Sequence, residues 1–528
     1  MSLSLRPRHV RRYVEIARLF WRHRALLGVS FTARPPGLEE AEPEGDPSTL
    51  ASDLEALGPT FVKLGQMLST RPDLVPEAYA RALSRLQDRL EPVPLADVER
   101  VVSAELGVRL SKAFSRFDPQ PLAAASLGQV HRAALRDGRA VAVKVQRPGI
   151  AQRLAEDLEV LSDLARLVEQ RTEAGRRWQF GELVEEARAS LTAELDYRAE
   201  ARNLERLADQ LQAYPRIVVP LPVHDYTREH VLTMDYVRGR KVTELGPLAR
   251  LELDGDVLVD QLLGAYLEQV LVHGFFHADP HPGNVFVTSG GDIALLDLGM
   301  VARVQPGMQE ILLKLVLALS QGRGDEAADQ ALQIGAALPG ADEAALRRTV
   351  TALVARRESE IGTLVLELAT ALTQAGFAMP RELALLGKTL VQLDEICHTL
   401  APGFDANAAI ARRTTALIGA RLRSDVSAGH LLSSLLEAKE FAERLPRRVN
   451  RILDAVAEDR LTLRIASSDP GRWSETLKQG ANRVTAGLVL AGLLIGGAVL
   501  LGTEPRYGLL YLLVAAALGA GLLLRRGS

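Results

Sequence analysis

"FFHADPHPGNVFV" (275–287), followed after a short break by "IALLDLGM" (293–300), is the stretch on which the reading of the chain turns. Asp279 and Asn284 stand five positions apart between two apolar runs, and Asp297 ends a third. A carboxylate at the first position can orient or deprotonate a hydroxyl or a water, while an amide and a second carboxylate offer the hard oxygen donors that Mg²⁺ takes. His277 and His281 beside Asp279 raise zinc as an alternative. No cysteine or further histidine cluster completes a tetrahedral set for it.

The order D-x-x-x-x-N and then D-L-G matches the catalytic-loop and metal-binding spacing of kinases. A nucleotide triphosphate needs, besides metal ligands, a backbone cradle, a lysine on the phosphates and an acid fixing that lysine. Lys144 of "VAVKV" (141–145) is the lysine candidate, on an alternating apolar strand where an unpaired buried ammonium would be costly. A merely solvent-facing strand lysine is the competing reading. The cradle candidate is "PLAAASLGQVHRA" (121–133), which carries Ala123, Ala125, Gly128 and Val130 where a kinase loop has G-x-G-x-x-G-x-V. An alanine Cβ in place of the first two glycines restricts how closely the backbone approaches a phosphate.

Composition limits the alternatives. The chain has 528 residues, 47% hydrophobic and 24% charged, with a net charge of -3, so no global field points to nucleic acid. Aromatic content of 5% argues equally against a base-stacking surface. The single cysteine, Cys397, excludes an internal disulfide framework.

Two segments depart from the average. Residues 1–24 carry seven arginines and one acid, and Val10, Tyr13, Val14, Ala17, Phe20 and Trp21 fall on one helical face. This reads as an interfacial helix on a membrane surface, with packing on the protein's own body as the alternative. Near the C-terminus "VTAGLVLAGLLIGGAVLLG" (484–502) and "GLLYLLVAAALGAGLLL" (508–524) are uncharged and of near-spanning length. Their Gly492/Gly496 and Ala517/Gly521 spacings suit a close helical hairpin. Lys478, Arg483, Arg525 and Arg526 flank the pair and predict that both ends lie in the cytoplasm.

"KLGQ" (63–66), "AAASLGQVH" (123–131), "VAVKVQRPG" (141–149), "ELDYRAEARN" (194–203), "HADPHPGN" (277–284) and "DLG" (297–299), in this order, resemble the UbiB family of kinase-like proteins, also called aarF-domain or ADCK proteins. The resemblance runs from about residue 50 to 400 and includes the apolar tail. It implies an α+β, two-lobed protein-kinase-like fold with a helical N-terminal extension and a C-terminal two-helix transmembrane hairpin. The expected divisions are a surface helix (1–25), a helical extension (26–118), an N-lobe with a helical insertion (119–237), a C-lobe (238–402), a helical tail (403–483) and the hairpin (484–526).

By the same resemblance ATP and Mg²⁺ are the cofactors. Lys144 is the phosphate-binding lysine, Glu194 its helix-C partner, and Glu200 a second acid facing the site. Asp279 is the catalytic aspartate, and Asn284 and Asp297 are the metal ligands. The loop Ala123, Ala124, Ala125, Ser126, Gly128, Gln129 and Val130 cradles the nucleotide, Met234 to Val237 form the adenine-side hinge, and Lys63 and Gln66 reach over the pocket mouth. The segment 387–405 also resembles a family segment, with no chemistry assigned to it beyond packing.

Departures from protein kinases matter as much. His281 stands two after Asp279, where Ser/Thr kinases commonly carry a lysine that steadies the phosphoryl group. "DLG" runs within a few residues into the helical "QPGMQEILLKLVLAL" (305–319), which leaves no room for a peptide-docking segment. The resemblance therefore implies an ATPase or atypical kinase that supports synthesis of an isoprenoid quinone such as ubiquinone, on the cytoplasmic face of a bacterial inner membrane. Its partners would be membrane lipids and quinone precursors or their enzymes. A small-molecule phosphotransferase, whose H-x-D-x-x-P-x-N pattern "HADPHPGN" also fits, and a nucleotide-stabilised scaffold stay open, as does a homodimer.

Overall fold

The computed structural model describes residues 10–23, 46–69, 75, 77–83, 86, 91–171, 180–356 and 361–425. The chain enters through α1 (Val10–Arg22), α2 (Leu50–Leu57), α3 (Pro59–Ser69) and α4 (Glu77–Leu83), then α5 (Leu95–Leu106) and the single turn α6 (Leu110–Ala113). Strands β1 (Arg116–Ala124), β2 (Gly128–Ala134) and β3 (Ala140–Gln146) follow. After β3 two long helices, α7 (Ile150–Arg171) and α8 (Phe180–Glu194), precede α9 (Tyr197–Gln210). β4 is Ile217–Val218 and β5 is Val231–Asp235; β5 completes an antiparallel sheet in the order β1-β2-β3-β5.

Alternation along this sheet sorts its residues by face. Lys144 lies opposite Val130 and Leu232, and Ala142 opposite Met234, so these side chains share one face. Val141, Val143, Val145 and Ala133 belong to the other face, where they pack with Val98 and Val102 of α5 in a separate small core.

The second lobe opens with β6 (Gly239–Lys241), α10 (Pro247–Leu251) and α11 (Gly255–Glu268). A π-turn at Gln269–His273 leads into β7 (Phe275–His277), then β8 (Val285–Thr288), β9 (Ile293–Leu295) and β10 (Val301–Arg303). β4 pairs in parallel with β9, β8 and β6 extend that sheet antiparallel, and β10 pairs with β7. Helices α12 (Pro306–Ser320), α13 (Gly324–Ile334), α14 (Glu343–Val354), α15 (Ile361–Gln374), α16 (Arg381–Leu400) and α17 (Ala406–Asp425) close the lobe over its large apolar core; the two-residue strands β11 (Ala336–Ala337) and β12 (Phe377–Ala378) pair between them.

The N-terminal helices and the α7–α8 pair share a third core, in which Leu50, Phe61 and Leu83 meet Leu154, Leu158 and Leu191. This corrects the expectation for the first helix. Its buried side chains are Tyr13, Ile16 and Leu19, turned onto the protein body, whereas Val10 and Val14 are exposed. Acids of the body meet its basic and polar groups: Arg12 donates to Asp157 at 2.7 Å and Tyr13 to Asp163 at 2.6 Å, while Arg22 donates to Asp53 at 2.9 Å. The face that packs inward is thus that of Tyr13, Ile16 and Leu19, which fits the alternative of packing on the protein's own body.

No helix among the described residues is long and apolar enough to cross a membrane. The hairpin at 484–526 and most of the 403–483 tail lie outside the described residues.

Candidate active site

The cleft-facing side of the first sheet delivers Lys144 to a pair of acids. Its ammonium donates to both oxygens of Glu200 at 2.9 Å and to Asp297 Oδ1 at 3.2 Å, and it lies 5.3 Å from the centroid of the Tyr197 ring. Burial alone would lower the lysine's pKa; Asp297 and Glu200 outweigh it and hold the ammonium well above its ordinary value. Burial lifts Glu200 to about 7 against the pull of Lys144. Asp297, held by the Lys144 charge with Lys63 contributing, is depressed far below the usual carboxylate range. Asp297 therefore carries the negative charge of this trio at neutral pH and below.

The helix-C assignment is thereby corrected. α8 ends at Glu194, and Asp196, accepting the Arg198 N–H at 3.0 Å, caps a new helix, α9, that presents Glu200 to the site. Glu194 instead meets Lys63 of α3 at 3.4 Å. Gln66, one turn on, is half-buried, and its carbonyl accepts the Ser69 hydroxyl.

The loop between β1 and β2 turns at Ala125 to Gly128, closed by a bond from Ala125 N–H to Gly128 O of 2.8 Å. Arg147 holds its outer rim by donating to Ala125 O at 2.9 Å. Gly128 is required by contact: a Cβ there would meet the Tyr197 hydroxyl and lie 2.7 Å from Val145 O. Ala123 pairs with Val130 on the cleft side. Gln129 does not face the nucleotide side, because strand alternation turns it away from Val130. It is buried, accepts the Val93 N–H at 2.9 Å and contacts His131 at 2.8 Å, so it anchors the segment before α5. Ala124 pairs with Gln129 and leaves the cleft with it. Ser126 is buried as well.

At the far end of the cleft Met234 is buried in the roof, and the Asp235 carboxylate is tied by Arg139 at 2.8 Å. Val237 follows in the half-buried link to β6, its backbone N–H and C=O making no hydrogen bond within the described residues. Those are the groups with which a hinge recognises a base edge.

On the opposite wall Ala278 N–H donates to Met300 O at 3.1 Å, and Leu296 N–H to Asn284 O at 3.0 Å, so the 277–284 loop and the D-L-G turn are stitched together. Asp297 has φ 58, the one left-handed non-glycine among the described residues. Strain of this kind persists where surrounding structure enforces it, often at functional sites. Asn284 is half-buried and its amide makes no hydrogen bond within the described residues. The zinc alternative fails on placement: His277 is buried with Nδ1 toward Met300 O, and His281 is exposed, its Nδ1 accepting from Gly283 N–H. No metal-holding cluster of His, Cys, Asp and Glu occurs among the described residues.

Sequence reasoning missed the partners of Asp279. Lys388 of α16 contacts Asp279 Oδ1 at 2.9 Å, Gln392 donates to the same oxygen at 2.8 Å, and Thr389 between them donates to Ala278 O at 3.2 Å. Burial would raise Asp279, but Lys388 and Gln392 hold it below the usual carboxylate value. The visible signal is a lysine and a glutamine one turn apart in the amphipathic 387–400 segment.

Comparison with known proteins places the chain in a family. Residues 85–330 match the ABC1 atypical kinase-like domain. A probable protein kinase UbiB of Marinobacter nauticus is 30% identical over 88% of this chain and 86% of its own length. The chain belongs to the UbiB family. Among other UbiB relatives, the chloroplastic Activity of bc1 complex kinase 8 of Arabidopsis thaliana is 39% identical over 57% of this chain. The chain spans 40% of that protein's length and 65% of Synechocystis sll0095, to which it is 34% identical. A solved complex of Rv3197 with erythromycin, from Mycobacterium tuberculosis, shares 26% identity at a TM-score of 0.43, covering 65% of this chain and 92% of that one.

Proposed function

We propose that this UbiB-family chain binds Mg-ATP between its lobes and transfers or hydrolyses the terminal phosphoryl group in support of isoprenoid quinone (ubiquinone) synthesis at a membrane. The observation that carries the reading is the Lys144–Glu200–Asp297 cluster, whose D-L-G segment is hydrogen-bonded through the backbone to the Asp279/Asn284 loop. The donors suit magnesium: Asp297 is ionised and half-exposed, and Asn284 adds a neutral oxygen from the adjoining strand end. With phosphate oxygens and waters filling the rest, a magnesium site needs no larger protein cluster. The ion would neutralise charge on the phosphates. Lys144 would bind the phosphates, Val237 the base edge, and Asp279 the proton of the acceptor.

The acceptor is a small molecule, a lipid or water rather than a peptide. β10 carries the chain from Gly299 straight to α12 at Pro306, without the long segment on which kinases dock peptides. The membrane part of the reading rests on the apolar stretches 484–502 and 508–524, and the inner-membrane location on their flanking basic residues. Phosphate release and label transfer are measured with full-length protein, anionic liposomes and a quinone-like phenol. Turnover lost in both Asp279→Asn and Lys144→Ala supports the reading; equal release by wild type and both variants refutes it.

A further inference from the structure

Two side chains of α16 hold the catalytic carboxylate by one oxygen only. Lys388 Nζ and Gln392 Nε2 both converge on Asp279 Oδ1, at 2.9 and 2.8 Å, and no group of the described residues bonds Oδ2. The helix is wedged in place. A Cβ on Gly362 of α15 would lie 2.8 Å from the backbone of Leu390 and Val391, and Thr389 fastens α16 to the Ala278 carbonyl. His281, two after Asp279, is exposed and turned onto Gly283 N–H, so the loop itself places no cation on Asp279.

Resting on the nucleotide reading above, we propose that Lys388 and Gln392 are positioning residues which fix Asp279 through Oδ1 and reserve Oδ2 as the proton acceptor. Lys388 thereby supplies from a distant helix the cation that protein kinases carry in the catalytic loop. In the step served, the acceptor oxygen bonds the γ-phosphorus and the bond to the β–γ bridging oxygen breaks. ADP leaves, and the acceptor's proton passes to Oδ2.

The other groups facing Asp279 do not replace this cation. His277 of β7 is buried and held toward its neutral form, and burial together with Asp279 keeps the Tyr266 phenol of α11 protonated. Without Lys388 the carboxylate keeps its burial and loses its main compensating charge, so its proton affinity rises.

The test uses full-length protein, with phosphate release from Mg-ATP followed across pH and the Asp279 carboxyl titrated by ¹³C NMR, Asp279→Asn identifying the resonance. Lys388→Met is expected to lower kcat roughly tenfold to a hundredfold. It should also move both the acid limb and the Asp279 titration upward by about one pH unit, with nucleotide Kd little changed. Lys388→Arg restores the limb in part, and Gln392→Leu, which keeps the cation but removes one hydrogen bond to Oδ1, lowers kcat with a smaller upward shift than Lys388→Met. Should Lys388→Met fail to fold, Lys388→Gln gives the same readouts with a neutral hydrogen-bonding side chain. A wild type that turns over beside a Lys388 variant with a superposable profile and titration overturns the proposal alone. A wild type that neither binds Mg-ATP nor releases phosphate overturns the nucleotide reading, and this one with it.

Discussion

Lys144 and Glu200 meet through two 2.9 Å contacts between a strand of the first sheet and the first turns of α9, and Asp297 shares the same ammonium from the other lobe. The pair couples the position of α9 to the lysine proposed to bind the phosphates. Glu200→Gln leaves that lysine with Asp297 alone and is expected to raise the nucleotide Kd roughly tenfold, about 1.4 kcal/mol. Glu194→Gln, which touches Lys63 instead, should have the smaller effect. Calorimetry of the two variants side by side decides it, and the reverse ranking refutes the assignment of Glu200.

The same carboxylate gives the fold a pH dependence of definite sign. Glu200 is raised to about 7 in the folded chain, from about 4.3 when unfolded. A raised carboxyl favours the folded state fully below its unfolded pKa, and that contribution is lost as pH rises through the folded value. Asp297 has the opposite sign, but its contribution is lost only as pH falls below the ordinary aspartate range. Between about pH 5 and about pH 8 wild type should therefore lose about 2–3 kcal/mol relative to Glu200→Gln. Urea unfolding at several pH values checks this; parallel curves for the two proteins would contradict it.

Gly128 is the contact point between the loop and α9. Gly128→Ala puts a methyl against the Tyr197 hydroxyl and the Val145 carbonyl, so either the strand or α9 must move. Overpacking of this kind costs about 1–3 kcal/mol. Because Tyr197 and Glu200 lie on the same helix, nucleotide affinity should fall together with the melting temperature. A variant that melts lower yet binds normally would show that the loop absorbs the strain without moving α9.

Much of this was legible in the sequence for reasons that are local. The 279/284/297 spacing fixes a loop, a short strand pair and a turn, and the Leu296 N–H to Asn284 O bond ties the end of the loop to the residue before Asp297. Lys144 was found because one charge on an alternating apolar strand needs a partner. The helix-C acid is Glu200 rather than Glu194 because "ELDYRAE" spans the end of α8 and the start of α9. Asp196 breaks it, and an aspartate just before a helical run is an N-cap signal that would have moved the start of helix C past Glu194. Gln129 and Ala124 were assigned to the nucleotide by loop membership, although strand alternation already separates Gln129 from Val130. For α1, Tyr13 and Phe20 of the stripe pack on the N-terminal core but Val10 and Val14 are exposed, and Ile16 and Leu19 join the buried face through contacts that only the tertiary structure reveals. Lys388 and Gln392 lie more than a hundred residues from Asp279, and no local pattern names their target.

Lys63 contacts Glu194 and adds to the positive field at Asp297. Lys63→Ala removes both effects, which should alter basal phosphate release or nucleotide preference by at least about threefold, about 0.65 kcal/mol. Wild-type kinetics in this variant would mean that α3 only covers the insertion helices and does not act on the pocket.

Asp297 separates charge from backbone shape, because its φ of 58 favours particular residues independently of any ligand. Asparagine enters the left-handed region readily, alanine less so, at about 1–2 kcal/mol. Asp297→Asn should therefore hold its backbone while losing the charge that compensates Lys144 and that the proposed metal site requires. Asp297→Ala loses the charge and carries the strain as well. Both variants are expected to lose the magnesium-dependent part of nucleotide binding, while Asp297→Ala melts lower than Asp297→Asn by about 1–2 °C. If the two melt together, the turn relaxes and the strained geometry is not imposed by its surroundings. If Asp297→Asn keeps full magnesium dependence, the metal is held elsewhere and the placement of the phosphates must be redrawn.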